Sequence, residues 1–360
     1  MKLESALGAA RTEPDAPPVS FFEFWPGWAF YTPIVVQWLA LGLRYGDMSL
    51  PTAANPGITV GGLCGESKRA ILDQLDPSER GLLARYTGIP RPDPVAAEQA
   101  IAEAGLTYPL VAKPDIGCNG TGVRLVHDRG ELARYLAAFP RDAAVLLQEF
   151  LPEEGEAGLF YVRQPGEARG RLTSITLKYA PFVTGDGRST LRALILADPR
   201  AGRLAQLYLP RLAHRLDEVP SQGERVRLVF VGNHCKGSIF KDGTSHATAA
   251  LTERIDRLAR ALPEFHFGRI DVRFDSLTAL ARGEGFRVIE INGVGSEATH
   301  VWDPSTRLID AWRAQFFHYG AAFRIGAANR ARGHRPAGVM AMWRHWREQS
   351  RLMAAYPAND

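Results

Sequence analysis

The chain has 360 residues, a formal net charge of +4, 46% hydrophobic residues and 23% charged ones, an ordinary globular make-up with length for two or three domains or subdomains. The charge is only mildly basic, no long Lys/Arg block occurs and the aromatics are not interleaved with basic residues, so anionic small molecules fit better as partners than nucleic acid. Cys64, Cys118 and Cys235 have no metal-like spacing, which argues against a disulfide scaffold and for a reducing, cytoplasmic compartment, and the start of the chain carries no secretory pattern.

Residues 1–20 are small, acidic and proline-containing and predict an unstructured start. FFEFWPGWAFYTPIVVQWLALGLRYG follows, without a charge from Phe24 to Leu43 and with Trp25, Trp28, Tyr31 and Trp38 spread through it. Pro26, Gly27 and Pro33 break it, so a continuous helix is expected only from about Thr32, too short to span a bilayer. A buried or partner-facing helix is the plain expectation. Interfacial membrane contact through residues 21–45 is the alternative that the Trp/Tyr enrichment raises. AANPGITVGGLCGESKRAILDQL predicts a loop, a short strand, a glycine turn and a helix with Ser67 near its start.

Residues 81–107 read as helical and proline-punctuated. YPLVAKP (108–114) and VRLVHD (123–128) are strands joined by DIGCNGTG. An amphipathic helix, ELARYLAAFP, and a strand, AVLLQEFLP, complete a unit over roughly 105–150. From Gly155 the texture turns to β: LFYVRQP, RLTSITLKY, and PFVTGDGRSTL with a tight turn at Asp186-Gly187. A helix-rich part (Leu191–Leu216), RVRLVFVGN, an amphipathic helix (Leu251–Leu262) and two strands, GRIDVRF and FRVIEIN, come next. The C-terminal segment is helical to about Gly326, and the basic tail beyond it is a solvated or packing segment.

The last of these strands poses the chemical question. In FRVIEINGVGSEATH, Glu290 and Asn292 sit two apart and so share a face, and Gly293 and Gly295 then open a loop that can approach a ligand closely. GRIDVRF puts Arg269 and Asp271 on one face in the same way. If the two strands are neighbours, Asp271, Glu290 and Asn292 form a set of hard oxygen ligands. Such a set suits Mg²⁺ completed by water and substrate phosphates. The rest of each strand is apolar, where unpaired acids would be costly.

Only six of the 43 basic residues are lysine: Lys2, Lys68, Lys113, Lys178, Lys236 and Lys241. A phosphate pocket is one place where a compact ammonium and a wide guanidinium fork are not interchangeable. Lys113 and Lys178 lie in apolar strands, and a buried ammonium needs an anion. Lys68 stands at a helix start, where a surface lysine is the simple alternative. The loop Asp115–Gly122 lies between two strands, so Rossmann and Walker readings fail on context. A glycine-rich hairpin of this kind, with Gly120 and Gly122, can fold over phosphates and donate backbone N–H groups. In LLQEFLPEEGE, a strand delivers Gln148 and Glu149 to a connector with Phe150 and Leu151. Its backbone can read an adenine edge, and Glu149 or Glu156 can accept from an amino or hydroxyl group.

These motifs, in this order, resemble the ATP-grasp ligases: "YPLVAKP", "DIGCNGTGV", "LLQEFLP" with Glu156, Lys178, "GRIDV" and "VIEINGVGS". The arrangement is most similar to D-alanine–D-alanine ligase, and "VTGDGRSTL" and "GNHCKGSIFKDGT" resemble the glutathione-synthetase-like and cyanophycin-synthetase-like branch. The resemblance covers about Gly65 to Gly326. It implies an α+β ATP-grasp fold of two subdomains clasping ATP, residues 65–152 as the lid and 153–330 as the larger part with the metal site. Residues 1–64 form a divergent aromatic-rich segment and 331–360 a basic tail.

By position the resemblance further implies that Lys113 and Lys178, with Lys68 a third, hold ATP phosphates. Gln148 to Leu151 would be the adenine hinge and Glu156 the ribose ligand. Asp271, Glu290 and Asn292 would hold one or two Mg²⁺ ions, with Mn²⁺ as a substitute. Arg269 would meet the oxyanion of a tetrahedral intermediate. The implied activity is ADP-producing ligation of a small-molecule carboxylate, activated as an acyl phosphate, to an amine. A nucleotide-binding regulatory or membrane-associated module without turnover, and a kinase, are the alternatives. Ser296, Glu297 and His300 face either the acceptor or only their own loop. His234 and Cys235 read as structural rather than as zinc ligands, and a homo-oligomer is compatible with the sequence.

Overall fold

The computed structural model describes residues 19–230, 232–234 and 237–357. The unstructured start expected for 1–20 therefore lies almost wholly outside the described residues, as do Lys2, Cys235 and Lys236. Among the described residues the first element is α1 (Gly27–Tyr45). It starts five residues before Thr32 and carries Pro33 inside, because Pro26 supplies the entry and the helix is held along its length by packing. No strand forms where a short one is expected after Ala53; the chain makes the 3-10 turn Thr59–Gly62, with Val60 and Gly61 at positive φ, and a second such turn, Leu50–Ala53, precedes it. A short helix, α2 (Lys68–Asp73), is capped by the Ser67 side chain, which accepts from the Ala70 N–H.

Next comes a four-stranded antiparallel sheet. Its parts are β1 (Tyr86–Ile89), α3 (Pro94–Glu103), β2 (Leu110–Pro114), β3 (Arg124–Val126), α4 (Arg129–Ala137) and β4 (Val145–Glu149), in the order β1-β4-β2-β3. β1 is an addition to the sequence reading. Its segment, YTGI, is too short and mixed to show a period, and it exists because β4 offers it an edge. Both helices start on an aspartate cap, Asp93 and Asp128. They cover one side of the sheet with Ile101, Leu132, Tyr135 and Leu136 over Leu110, Val145 and Leu147.

A five-stranded antiparallel sheet follows, formed by β5 (Gly155–Val162), β6 (Arg171–Tyr179), β9 (Ile239–Asp242), β10 (Phe267–Phe274) and β11 (Phe286–Asn292) in the order β11-β10-β5-β6-β9. One face is apolar: Leu159, Ile175, Ile270, Val272 and Val288 pack on Leu251, Ile255 and Leu258 of the helix Ala249–Arg260. Between β6 and β9 the chain builds a small unit of its own. Strands β7 (Phe182–Thr184) and β8 (Arg225–Arg227) pair there, and Val183, Leu191, Ile195, Tyr208 and Val226 share a core. Of RVRLVFVGN only Arg225–Arg227 is strand.

Two helices close the chain. The first, Leu308–Ala331, runs beside α1: Trp38 meets Tyr319 and Phe323, and the Trp312 indole N–H donates to the Phe30 carbonyl. The second, Val339–Ala355, lies in the basic tail. It is no solvated appendage, because Leu352 and Tyr356 join the core of the four-stranded sheet.

A candidate nucleotide and metal site between two sheets

A cavity of about 690 Å³ is lined from both sheets. Antiparallel pairing explains how the second sheet equips it. Asp271 stands opposite Glu290, and Arg269 opposite Asn292. On its other side Asp271 faces Gly158 and Arg273 faces Glu156, which in turn pairs with Lys178. Cross-strand partners share a face. Four strands thus bring Lys178, Glu156, Arg269, Asp271, Arg273, Glu290 and Asn292 to the surface opposite the apolar one, and all seven line the cavity. Gly158 makes room at the centre: a Cβ there would lie 2.9 Å from Arg269 Cδ and 3.0 Å from Asp271 Oδ1. Nothing in the sequence singled that glycine out.

The charges interlock. Lys178 Nζ donates to Asp271 Oδ1 at 2.9 Å and to Glu156 Oε1 at 3.1 Å. Arg269 forks onto Asp271, with Nε 3.0 Å from Oδ1 and Nη2 3.1 Å from Oδ2, and Arg273 Nη2 lies 3.0 Å from Glu156 Oε2. Burial opposes each of these charges. At Lys178 the two carboxylates outweigh it and hold the pKa above the ordinary value. At Asp271 burial is likewise outweighed, by Arg269 and Lys178, and the carboxyl is held below its usual range. The Asn292 amide N–H donates to Asp271 Oδ2 at 3.1 Å.

The lysine from the first sheet is different. Lys113 Nζ donates to Gln148 Oε1 at 2.8 Å and to the Ile289 carbonyl at 3.1 Å, and both acceptors are neutral. Burial pushes its pKa down to about 8 against the pull of Glu290. Lys68 is no surface lysine. Its ammonium donates to the Gly117 carbonyl at 2.5 Å and lies 3.8 Å from Glu290 Oε1.

The glycine loop contributes Gly117 to Thr121 to the cavity wall, Gly120 among them at φ 64°. Gly122 does not line it. That residue turns at φ 73° against Pro114 and Tyr356, so it shapes the loop rather than facing a ligand. Gln148, Glu149, Phe150 and Leu151 line the cavity as a connector, and Phe150 faces Phe230 with ring centroids 6.3 Å apart. The side chains of Gln148 and Glu149 are already engaged. Gln148 holds Lys113, and Glu149 accepts from Arg85 Nε at 2.8 Å and Arg287 Nη2 at 2.7 Å. They fix the connector and leave its backbone as the part that can read a base.

Several wall residues escaped the sequence reading. Glu66 has one fully enclosed carboxylate oxygen without a hydrogen-bond partner, and burial, aided by Glu290, raises its pKa. In the sequence it is only one polar residue before a helix. Phe24, Trp25 and Tyr31 of the aromatic segment, and Gln349 of the last helix, also line the cavity. Ser296 and Glu297 do face it. The Glu297 carboxylate is held by the Tyr31 hydroxyl at 2.9 Å, the Trp302 indole at 2.8 Å and the Gln315 amide at 2.5 Å. His300 is outside the lining. His234 lines the cavity while stacked between Phe24 and Trp302 and bonded to Glu23 at 3.1 Å.

Two carboxylates and an amide are a sparse donor set, and no group of three or more His, Cys, Asp or Glu suited to a metal occurs among the described residues. A set of this size fits Mg²⁺ that brings waters and substrate phosphates with it, rather than an all-protein cage.

No protein-family model matches the chain. The chain is 26% identical over 240 residues to the glutathione biosynthesis bifunctional protein GshAB of Streptococcus thermophilus, a match that takes in 59% of this chain and 31% of that protein. It is 26% identical over 223 residues to cyanophycin synthetase of Synechocystis, covering 57% and 25%. The matched part is thus a third or less of these relatives' own length. Among solved structures, D-alanine–D-alanine ligase of Bacillus anthracis is 15% identical and covers 76% of this chain and 69% of its own, with a TM-score of 0.42. A bifunctional glutathione synthetase of Pasteurella multocida is 17% identical, covering 69% and 35%, with a TM-score of 0.35. The two enzyme names that the sequence relatives carry are those of the branch whose motifs the chain shares, and by motif and by relative alike it resembles the ATP-grasp ligases.

Proposed function

We propose that the protein is an ATP- and Mg²⁺-dependent ligase that phosphorylates a small-molecule carboxylate and passes the acyl group to an amine. One observation carries this reading. Three scarce lysines and the Asp271, Glu290 and Asn292 oxygens converge on one cavity, and the most buried of those lysines, Lys113, has only neutral acceptors. An ammonium so placed is incomplete without an anion.

The chemistry is a problem of charge. A carboxylate must approach a γ-phosphate, and the two repel. Lys113 and Lys178 lower that repulsion from the two sheets and Lys68 from the start of α2, and the glycine loop is the element that would shut water away from an acyl phosphate. Asp271, Glu290 and Asn292 are the residues that would hold Mg²⁺, which supplies charge neutralisation at the phosphates when bound. As the amine attacks, negative charge grows on the former carbonyl oxygen. Arg269, locked to Asp271 and to the Glu297 carbonyl at 3.0 Å, is pre-oriented to meet it. No nucleophilic side chain is required.

The test is ADP release in the presence of Mg²⁺ against a library of acids and amines. Release that requires one acid and one amine together supports ligation, and release with the acid alone points to a kinase. Nucleotide binding without turnover on any pair overturns the enzymatic reading. Glu290→Gln should lower turnover at least about 100-fold with an unchanged fold. Wild-type rates from that variant would remove Glu290 from the metal set.

The exposed stripe of α1, Trp28, Val35, Val36, Leu39 and Leu43, supports a second property of the same protein: peripheral contact with a membrane surface. No helix among the described residues is long and apolar enough to cross a bilayer.

A further inference from the structure

The last helix, Val339–Ala355, touches two things at once. At its far end Leu352 and Tyr356 are built into the core of the four-stranded sheet, and the Tyr356 ring stacks on Phe139 with centroids 4.9 Å apart. Its middle is tied to the segment that leads into Lys68: the Gln349 side-chain oxygen accepts from the Gly65 N–H at 2.6 Å, and the Cys64 thiol donates to the Met342 carbonyl at 3.6 Å. Between these anchor points lies the glycine loop. The Tyr356 hydroxyl donates to the Ile116 carbonyl at 2.7 Å, and the Gln349 amide N–H donates to Cys118 Sγ at 3.5 Å. Gly117 and Gly122 press close beneath: a Cβ on Gly122 would lie 3.2 Å from Tyr356 Cβ, and one on Gly117 3.4 Å from its ring.

The geometry points to Gln349 and Tyr356 as positioning residues that hold the phosphate-covering loop against the remainder of the cavity. The inference rests on the nucleotide reading of that cavity. A hairpin with four residues at positive φ, Gly117, Asn119, Gly120 and Gly122, has many conformations open to it, and aiming its N–H groups at a phosphate costs entropy. Two side chains from outside the sheet bear part of that ordering before any nucleotide arrives. Gln349 bonds both the loop and the approach to Lys68. The same side chain therefore adds a second tie between the two phosphate-facing elements, beside the direct bonds from Lys68 to the Asp115 and Gly117 carbonyls.

The experiment uses the full chain with Mg²⁺ and the β,γ-imido analogue of ATP, measuring affinity by calorimetry and amide exchange at residues 115–122. Tyr356→Phe keeps the ring stack and loses one hydrogen bond; Gln349→Ala loses two. Each should weaken affinity by about three- to tenfold and speed exchange in the loop, while the unfolding midpoint moves by no more than about 3 °C. Trp346→Ala, on the exposed side of the same helix, should change neither. In the unaltered protein the analogue should protect residues 115–122 and 349–356 together, an arm that holds even if a variant fails to fold. Folded variants with unaltered affinity and loop exchange, or loop protection without protection of 349–356, would overturn the assignment while leaving the nucleotide site standing. No binding of the analogue to the unaltered protein would overturn both.

Discussion

At the scale of single residues, Lys113 has the most distinctive behaviour. Its pKa of about 8 lies below the ordinary lysine value of 10.5. As pH rises from about 8 towards 10.5, the folded chain loses this proton before the unfolded chain does, so the side chain's burial costs less stability there and more below pH 8. A bound polyphosphate reverses the preference, because it favours the charged form. Affinity for MgATP should therefore fall as pH climbs through about 8. Binding near pH 8.5 should take up protons, seen as a heat that depends on the buffer's ionisation enthalpy. Lys113→Met should weaken binding about 10- to 100-fold and flatten this profile. Affinity constant from pH 7 to 9.5 in the unaltered protein would dissociate Lys113 from the phosphates. The carboxylates differ in a similar way. Asp271 is locked between Lys178 and Arg269, so neutralising it also leaves two buried cations short of a partner, at about 3–5 kcal/mol. Glu290 is half-buried with its nearest lysine at 3.8 Å, and it is the better probe of metal binding.

At the scale of elements, the loop after β11 teaches the clearest lesson. Its glycines suggested close approach to a ligand. Gly295 does line the cavity, and the loop also approaches another stretch of backbone closely: the Val294 and Gly295 N–H groups donate to the Gly61 and Gly62 carbonyls at 3.0 and 2.6 Å. A Cβ on Gly62 would sit 2.6 Å from Gly293 Cα. Gly293→Ala should thus destabilise the fold by about 1–3 kcal/mol, measured by urea unfolding, with an unchanged slope. A neutral outcome would mean the turn at 59–62 can yield. The strands that carry the site were legible because their apolar runs and paired polar positions declare both period and face. Lys113, Lys178, Asp271, Glu290 and Asn292 could be named for that reason. Gly158, Glu66, Gln349 and the Arg85–Glu149–Arg287 cluster could not, since their meaning lies in contacts between residues distant in the chain. β1 was hidden for the same reason, as a strand defined by its neighbour. The helix α1 was misjudged at its start because proline rules describe an isolated helix, and this one is fastened to Leu308–Ala331.

For the molecule as a whole, the aromatic segment has two sides. Phe22, Phe30 and Ile34 are buried against Trp302 and Val301, and Phe24, Trp25 and Tyr31 reach the cavity wall. Trp28, Val35, Val36, Leu39 and Leu43 face outward, with Arg44 in the last turn of the helix. Flotation with vesicles containing anionic lipid should retain the protein at low salt, and Val36→Asp with Leu39→Asp should release it with turnover preserved. No retention, or retention unaffected by those changes, would dismiss membrane contact through this stripe, and a shift from dimer to monomer on the same substitutions would assign the stripe to a second copy.

The seat of Tyr356 bears on how the protein is handled at the bench. A purification handle fused just behind Tyr356 would crowd the hydroxyl that grips Ile116, whereas one fused elsewhere on the chain leaves that contact alone. Preparations carrying the former should report poorer nucleotide retention than those carrying the latter.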